Sequence, residues 1–320
     1  MSSPKLPAFV IPDDVDPAAM SRPEFAGLGP VSVFPGVTSH LDLVYAGPVG
    51  FRPLTLDLHL PDRSGDSPLP VVVYAHGGGF FLGTKRMGPW RFLLDAGFAV
   101  ASVSYRFSGE NTYPTPIHDV AAAIRWVRAH TAEYHLDPDA IIGFGSSAGA
   151  YLISAVALAG DQTELVGQVG PNVEYSSRLD AVIEHYGPSD LFQMDSDAPA
   201  DVVEWMNRPG STITRFLGHV PSSHPDPAGV INLCRHAGAE SPPFLIAHGD
   251  DDHRVGIEQS RRLHRTLTEA GARAELVEIP GGDHGSAHFD GPALHERTLA
   301  FLRSVLARRS DLDPIEAAAG

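Results

Sequence analysis

The chain has 320 residues, 43% of them hydrophobic, and 39 acidic against 23 basic side chains leave a formal net charge of -16. That is enough apolar material for one large α/β domain or two smaller ones, and the acidic balance argues against nucleic acid or an anionic bilayer as partner. The single cysteine, Cys234, excludes an intrachain disulfide and fits a reducing compartment. No apolar run of signal-peptide length opens the sequence and no stretch of about 18 apolar residues occurs in it, so a soluble, cytoplasmic protein is expected.

Residues 1 to about 40 are crowded with proline and acidic residues, which predicts a mobile arm or part of a lid rather than a regular strand. Leu41–Tyr45 and Leu54–Leu60 alternate apolar with polar residues and read as half-buried strands at a sheet edge. Val71–Ala75 is continuously apolar, as for a central strand covered on both faces. It runs into His76-Gly77-Gly78-Gly79-Phe80-Phe81. Three consecutive glycines cost backbone entropy and add no packing. Either a loose turn explains them, or a loop whose main-chain N–H groups approach a substrate oxygen closely.

Ala99–Ser104 is the next predicted strand, after the helix-ending pair Ala96-Gly97. Between Ile117 and Tyr134 the residues Val120, Ile124 and Val127 fall near helical spacing, which predicts a crossover helix. It leads to the apolar strand Ala140–Phe144, bounded upstream by Asp137-Pro138 and ending at Gly145, and then to a buried helix over Tyr151–Leu158. Between strand and helix lies Gly145-Ser146-Ser147-Ala148-Gly149, a G-x-S-x-G. A serine held at a sharp strand-to-helix turn needs neighbours without side chains, and Ser147 would then stand at the carboxyl edge of a sheet. A hydroxyl is a weak nucleophile until a base takes its proton, so the motif needs partners.

Further strands are predicted at Ala181–His185, Phe244–His248 and Glu275–Ile279, with helices over Ile257–Glu269 and Ala293–Leu306. Strands alternating with helices imply right-handed crossovers and a mainly parallel sheet. Residues 187 to 243 lack a strand pattern and are too long for a plain loop, so a cap over the serine is expected there. The tail Glu316–Gly320 is expected to fray. Two charged clusters follow strand ends beyond Ser147: Gly249-Asp250-Asp251-Asp252-His253-Arg254-Val255, and Pro280-Gly281-Gly282-Asp283-His284-Gly285. Acid before histidine is the order that a serine hydrolase of this architecture requires.

Together, His76-Gly77-Gly78-Gly79-Phe80, the Ser147 motif, His248-Gly249-x-x-Asp252-x-x-Val255 and Gly282-Asp283-His284-Gly285 resemble the α/β-hydrolase superfamily. The likeness is strongest to its H-G-G-G branch of hormone-sensitive-lipase-like and bacterial feruloyl or acetyl esterases, and it runs from about Leu41 to Leu306. The resemblance implies an α/β-hydrolase fold: a mostly parallel eight-stranded sheet flanked by helices. From composition and segment length, residues 1–40 are expected as an arm or part of the cap, and residues 41–320 as the catalytic domain with a cap insertion at about 187–243. The resemblance also implies Ser147 as nucleophile, His284 as general base and then acid, and Asp252 as the carboxylate that orients the imidazole. The N–H groups of Gly78, Gly79 and Ala148 would form the oxyanion hole. Tyr105-Arg106, Pro114 and Asp119 match the family's order and read as scaffold. Where the family's acid loop has one aspartate this chain has three, and Asp252 is preferred over Asp250 and Asp251 because Val255 follows it at the family spacing.

Phe80, Phe81, Tyr186 and Trp205 are candidates to line an acyl or alcohol pocket, although each alone is more often core. His284 and His288 lie four apart, but in a segment predicted as loop, so no metal and no cofactor is expected. The expected activity is that of a carboxylesterase acting on a small-molecule ester, with assembly into a homo-oligomer left open. Amide or formamide hydrolysis, lactone opening or acyl transfer on the same triad is the alternative. A non-catalytic small-molecule receptor is a further one, disfavoured because all three triad members are present.

Overall fold

A computed structural model describes residues 28–50, 52–62, 65–194, 204, 208–221 and 232–310. In chain order its strands and helices are β1 (Leu28–Phe34), β2 (Val37–Ala46), β3 (Leu54–Pro61), β4 (Leu69–Ala75), α1 (Arg91–Asp95), β5 (Ala99–Val103), α2 (Thr115–Ala129), α3 (Thr131–Tyr134), β6 (Leu136–Ser146), α4 (Ala148–Ala159), α5 (Thr163–Val166), β7 (Ala181–His185), α6 (Thr212–Leu217), β8 (Phe244–Gly249), α7 (Glu258–Glu269), β9 (Ala274–Ile279) and α8 (Pro292–Ser310). The strands form one sheet in the order β1-β2-β3-β5-β4-β6-β7-β8-β9. From β5 to β9 every pairing is parallel, and β1, β2 and β3 add an antiparallel edge.

The sheet has nine strands among the described residues where eight were expected, and β1 with the start of β2 lies inside the segment predicted to hold no strand. The prolines there are placed where a strand tolerates them. Pro30 is on the outermost strand, which needs no N–H on its free side. Pro35-Gly36 forms the hairpin turn between Phe34 and Val37, with Gly36 at φ 67. Residues 1–27 and the tail Glu316–Gly320 lie outside the described residues, as does Trp205. β6 also starts earlier than expected, before Asp137-Pro138, because Leu136 pairs with Leu69 of β4 ahead of a register shift.

Alternation along β4 explains why a continuous apolar run is needed there. Val71 and Val73 face one layer, with Val120, Ile124 and Val127 of α2 and Leu152 and Val156 of α4. Val72 and Tyr74 face the other, with Leu93 of α1 and Phe301, Leu302 and Val305 of α8. Burying each such side chain stabilises the fold by roughly 1.5–3 kcal/mol, so the strand is held from both sides. Among the described residues, no helix is long and apolar enough to cross a membrane.

The scaffold residues Arg106 and Asp119 form a buried pair after β5. Asp119 Oδ2 accepts 2.9 Å bonds from both the Arg106 backbone N–H and Nε–H, and the two residues are 6% and 0% exposed. Removing the carboxylate leaves a guanidinium buried without its counter-charge. Asp119→Asn is therefore expected to lower stability by about 3 kcal/mol, read as a lower urea midpoint at unchanged slope.

Candidate active site

Ser147 stands in the turn between β6 and α4 at φ 54 and ψ -119, a strained conformation for a residue with a side chain. The motif glycines make that turn possible. A Cβ on Gly145 would lie 2.4 Å from the Gly149 carbonyl oxygen, and one on Gly149 would lie 2.1 Å from the Ala75 carbonyl oxygen. The Ser147 N–H donates to the His185 carbonyl at 2.8 Å, tying the turn to β7.

The loop after β4 is built the same way. Gly78 has φ 123, and a Cβ there would come 2.0 Å from the Leu82 carbonyl oxygen. His76 braces it: its Nδ1 lies 2.7 Å from the Gly77 carbonyl, and its own carbonyl accepts the Tyr105 hydroxyl at 2.8 Å. Burial lowers the His76 pKa, against the Gly77 contact, and keeps the ring neutral.

The acid and histidine loops meet through backbone. A Cβ on Gly249 would fall 1.9 Å from the Gly282 carbonyl oxygen, and Asp250 Oδ1 accepts the Gly281 N–H at 2.6 Å. This contact delivers the side chains beyond. The Ser147 hydroxyl is 2.9 Å from His284 Nε2, and Asp252 Oδ2 is 2.7 Å from His284 Nδ1. A carboxylate only accepts, so Nδ1 carries the proton and Nε2 is free to take one from the serine. Asp252 Oδ1 accepts the Arg254 and Val255 N–H groups at 2.8 and 2.9 Å. Burial works to raise the Asp252 pKa, but hydrogen bonds from His248 and His284 and the Val255 N–H outweigh it and hold the carboxyl well below its usual range. The other two aspartates point elsewhere: Asp250 caps Gly281, and the exposed Asp251 pairs with His253 at 3.7 Å.

A cavity of about 990 Å³ opens beside Ser147 and His284, within the size range of small-molecule sites. Gly78, Gly79 and Ala148 line it, as do Phe80, Phe81 and Tyr186. Phe80 is 2% exposed and stacks on Phe216 of α6 at 3.9 Å, so most of that ring belongs to the core. Tyr186 sets its ring against His284 at 4.8 Å. Leu82, Met87, Met194 and Ile213 add apolar wall that the sequence pattern did not single out. Their signal is faint because isolated apolar residues in loops and short helices carry no period. Glu184 was also missed, although a carboxylate inside the apolar strand Ala181–His185 is a legible anomaly.

The BD-FAE family model matches residues 56–267, well over half of the chain. The chain belongs to the BD-FAE family. Relatives of this BD-FAE member include esterase LipI of Mycobacterium tuberculosis, 36% identical over 83% of this chain and 82% of LipI. Esterase LipQ of the same organism is 30% identical over 84% of this chain and 63% of LipQ. The chain spans about half to under two thirds of the length of LipQ, LipC and LipM. Among solved structures, a truncated carbohydrate esterase from gut microbiota superposes with a TM-score of 0.75 at 28% identity, covering 84% of this chain and 96% of that one. The BD-FAE match and these relatives agree with the α/β-hydrolase sheet.

Proposed function

We propose that this chain is a serine carboxylic ester hydrolase that works through an acyl-enzyme on a small or medium ester. The observation that supports it best is the unbroken hydrogen-bonded line Ser147–His284–Asp252 at the wall of a mostly apolar cavity. Ser147 Oγ attacks the ester carbonyl while His284 Nε2 takes its proton, and Asp252 stabilises the imidazolium that forms. The oxyanion faces the N–H groups of Gly78, Gly79 and Ala148. His284 then protonates the departing alcohol, and the same groups activate water to release the acid.

Residues 187 to 243 act in this reading as a cap. Pro188, Met194, Thr212 and Ile213 line the cavity, and Asp190 and Asn232 pair at the base of the segment. The catalytic domain then begins at β1 rather than at residue 41. The lone cysteine fits a reducing, cytoplasmic location.

The test is covalent labelling with a p-nitrophenyl phosphonate, followed by peptide mass mapping. One phosphonyl group on the Ser147 peptide is expected, and a folded protein labelled elsewhere or not at all overturns the reading. Esters varied from acetate to octanoate, acylated sugars, aryl formamides and lactones then define the substrate. Acylated sugars belong in that set because a similar solved structure is named a carbohydrate esterase. Acyl products formed on an added alcohol would indicate transfer instead of hydrolysis.

A further inference from the structure

Behind Asp252 lies a second set of buried polar groups that the steps above do not use. Glu184 is 2% exposed, Ser260 1% and His248 0%. His248 Nε2 is 3.2 Å from Asp252 Oδ2 and 2.8 Å from the Val255 carbonyl oxygen. Both are acceptors, so Nε2 carries a proton. His248 Nδ1 is 2.7 Å from the Ser260 hydroxyl, which in turn is 3.5 Å from Glu184 Oε2, a long contact. Glu184 Oε1 accepts the Gly187 N–H.

Ser260 has one hydroxyl proton to give. If it donates to His248 Nδ1, the imidazole is neutral and Glu184 is the protonated acid that donates to Ser260. If it donates to Glu184, that group is a carboxylate and Nδ1 carries the second proton of an imidazolium. The two arrangements interconvert without loss or gain: the Glu184 O–H breaks as a new Ser260 O–H forms, and the old Ser260 O–H breaks as Nδ1–H forms. Burial raises the Glu184 pKa to about 7, against the pull of His248, the Gly187 N–H and Ser260. The other titratable groups facing the set are Asp252, Glu278 of β9, which acts on His248, and the Tyr186 hydroxyl near Glu184.

We propose that His248, Ser260 and Glu184 are positioning residues for the triad: His248 fixes the carboxylate that orients His284, and the proton it shares with Glu184 sets the charge standing behind that carboxylate. The inference rests on Ser147, His284 and Asp252 acting as described under the proposed function. When the shared proton leaves, a net negative charge remains, which favours protonated His284 and so removes the general base. The acid limb of the kcat/KM profile then contains two coupled ionisations rather than one.

The test compares full-length wild type with Glu184→Gln, His248→Leu and His248→Gln on one p-nitrophenyl ester, with folding checked by circular dichroism. Glu184→Gln is expected to move the acid limb down by about half a pH unit with KM unchanged. His248→Leu is expected to lower kcat by about 10- to 100-fold, and His248→Gln, which can still donate to Asp252, to recover most of that loss. A Glu184→Gln acid limb superimposed on wild type overturns the proposal, and this arm stands even if His248→Leu does not fold. A folded His248→Leu with wild-type kcat overturns it as well. Ser147→Ala separates the two levels: if it is inactive while these variants match wild type, only this inference fails, and if it retains activity, both readings fall.

Discussion

Ser147→Ala is expected to lower kcat on a p-nitrophenyl ester by about 10⁶-fold, the loss typical when a triad nucleophile is removed, while leaving the protein folded. The prediction is this large because the other groups cannot compensate. His284 has no proton to take and no acyl-enzyme forms, so only substrate binding and the N–H groups of the glycine loop remain to favour attack by water. The side chain is partly exposed beside the cavity and is bound through its Oγ to His284, so alanine opens no buried cavity. Stability should stay within about 1 kcal/mol of wild type. Activity assays and thermal melts on the same preparation check both parts, and substantial residual turnover by a pure, folded variant would exclude this serine.

Gly149→Ala is expected to do comparable damage through the fold. The added methyl would sit 2.1 Å from the Ala75 carbonyl oxygen and 2.5 Å from that of His76. Both obstacles are main chain, so no side-chain rotation relieves the clash. Either α4 or the end of β4 has to move, and those two elements carry the nucleophile and the glycine loop. Overpacking of this kind costs about 3 kcal/mol or more. A lower denaturation midpoint with loss of activity is the expected result, and a variant as stable and active as wild type would show that the strand–helix contact is looser than described.

These two positions show why much of the site is legible in the sequence. Gly145, Gly149, Gly78 and Gly249 stand where backbone must touch backbone, and a need that only one residue type meets leaves a readable pattern. Strand type was legible wherever apolar residues ran without interruption, as in Val71–Ala75 and Phe244–Ala247. β1 was not, because proline counts against a strand until its place at the sheet edge is known. Asp252 could be preferred over its two neighbours by spacing alone, whereas its contact with His248, which packs from β8, is a tertiary one that spacing does not encode. The cavity wall was the least legible part. Met87, Met194 and Ile213 come from separate loops and a short helix, and their convergence is decided by tertiary packing that no local pattern encodes.

The pairing of Asp190 with Asn232 has a consequence for how this molecule can change. Asn232 Nδ2 donates to Asp190 Oδ2 at 2.7 Å, Leu233 N–H donates to the Ser189 carbonyl, and Gln259 of α7 holds the Ser189 and Asp190 N–H groups at 2.8 Å each. The chain thus departs and returns at a single neck anchored to the sheet's own helix. Whatever polypeptide is spliced between those two residues begins and finishes at the same spot, but the piece now there also seats Phe216 against Phe80 of the glycine loop, so a graft keeps that loop in place only if it restores the stacking.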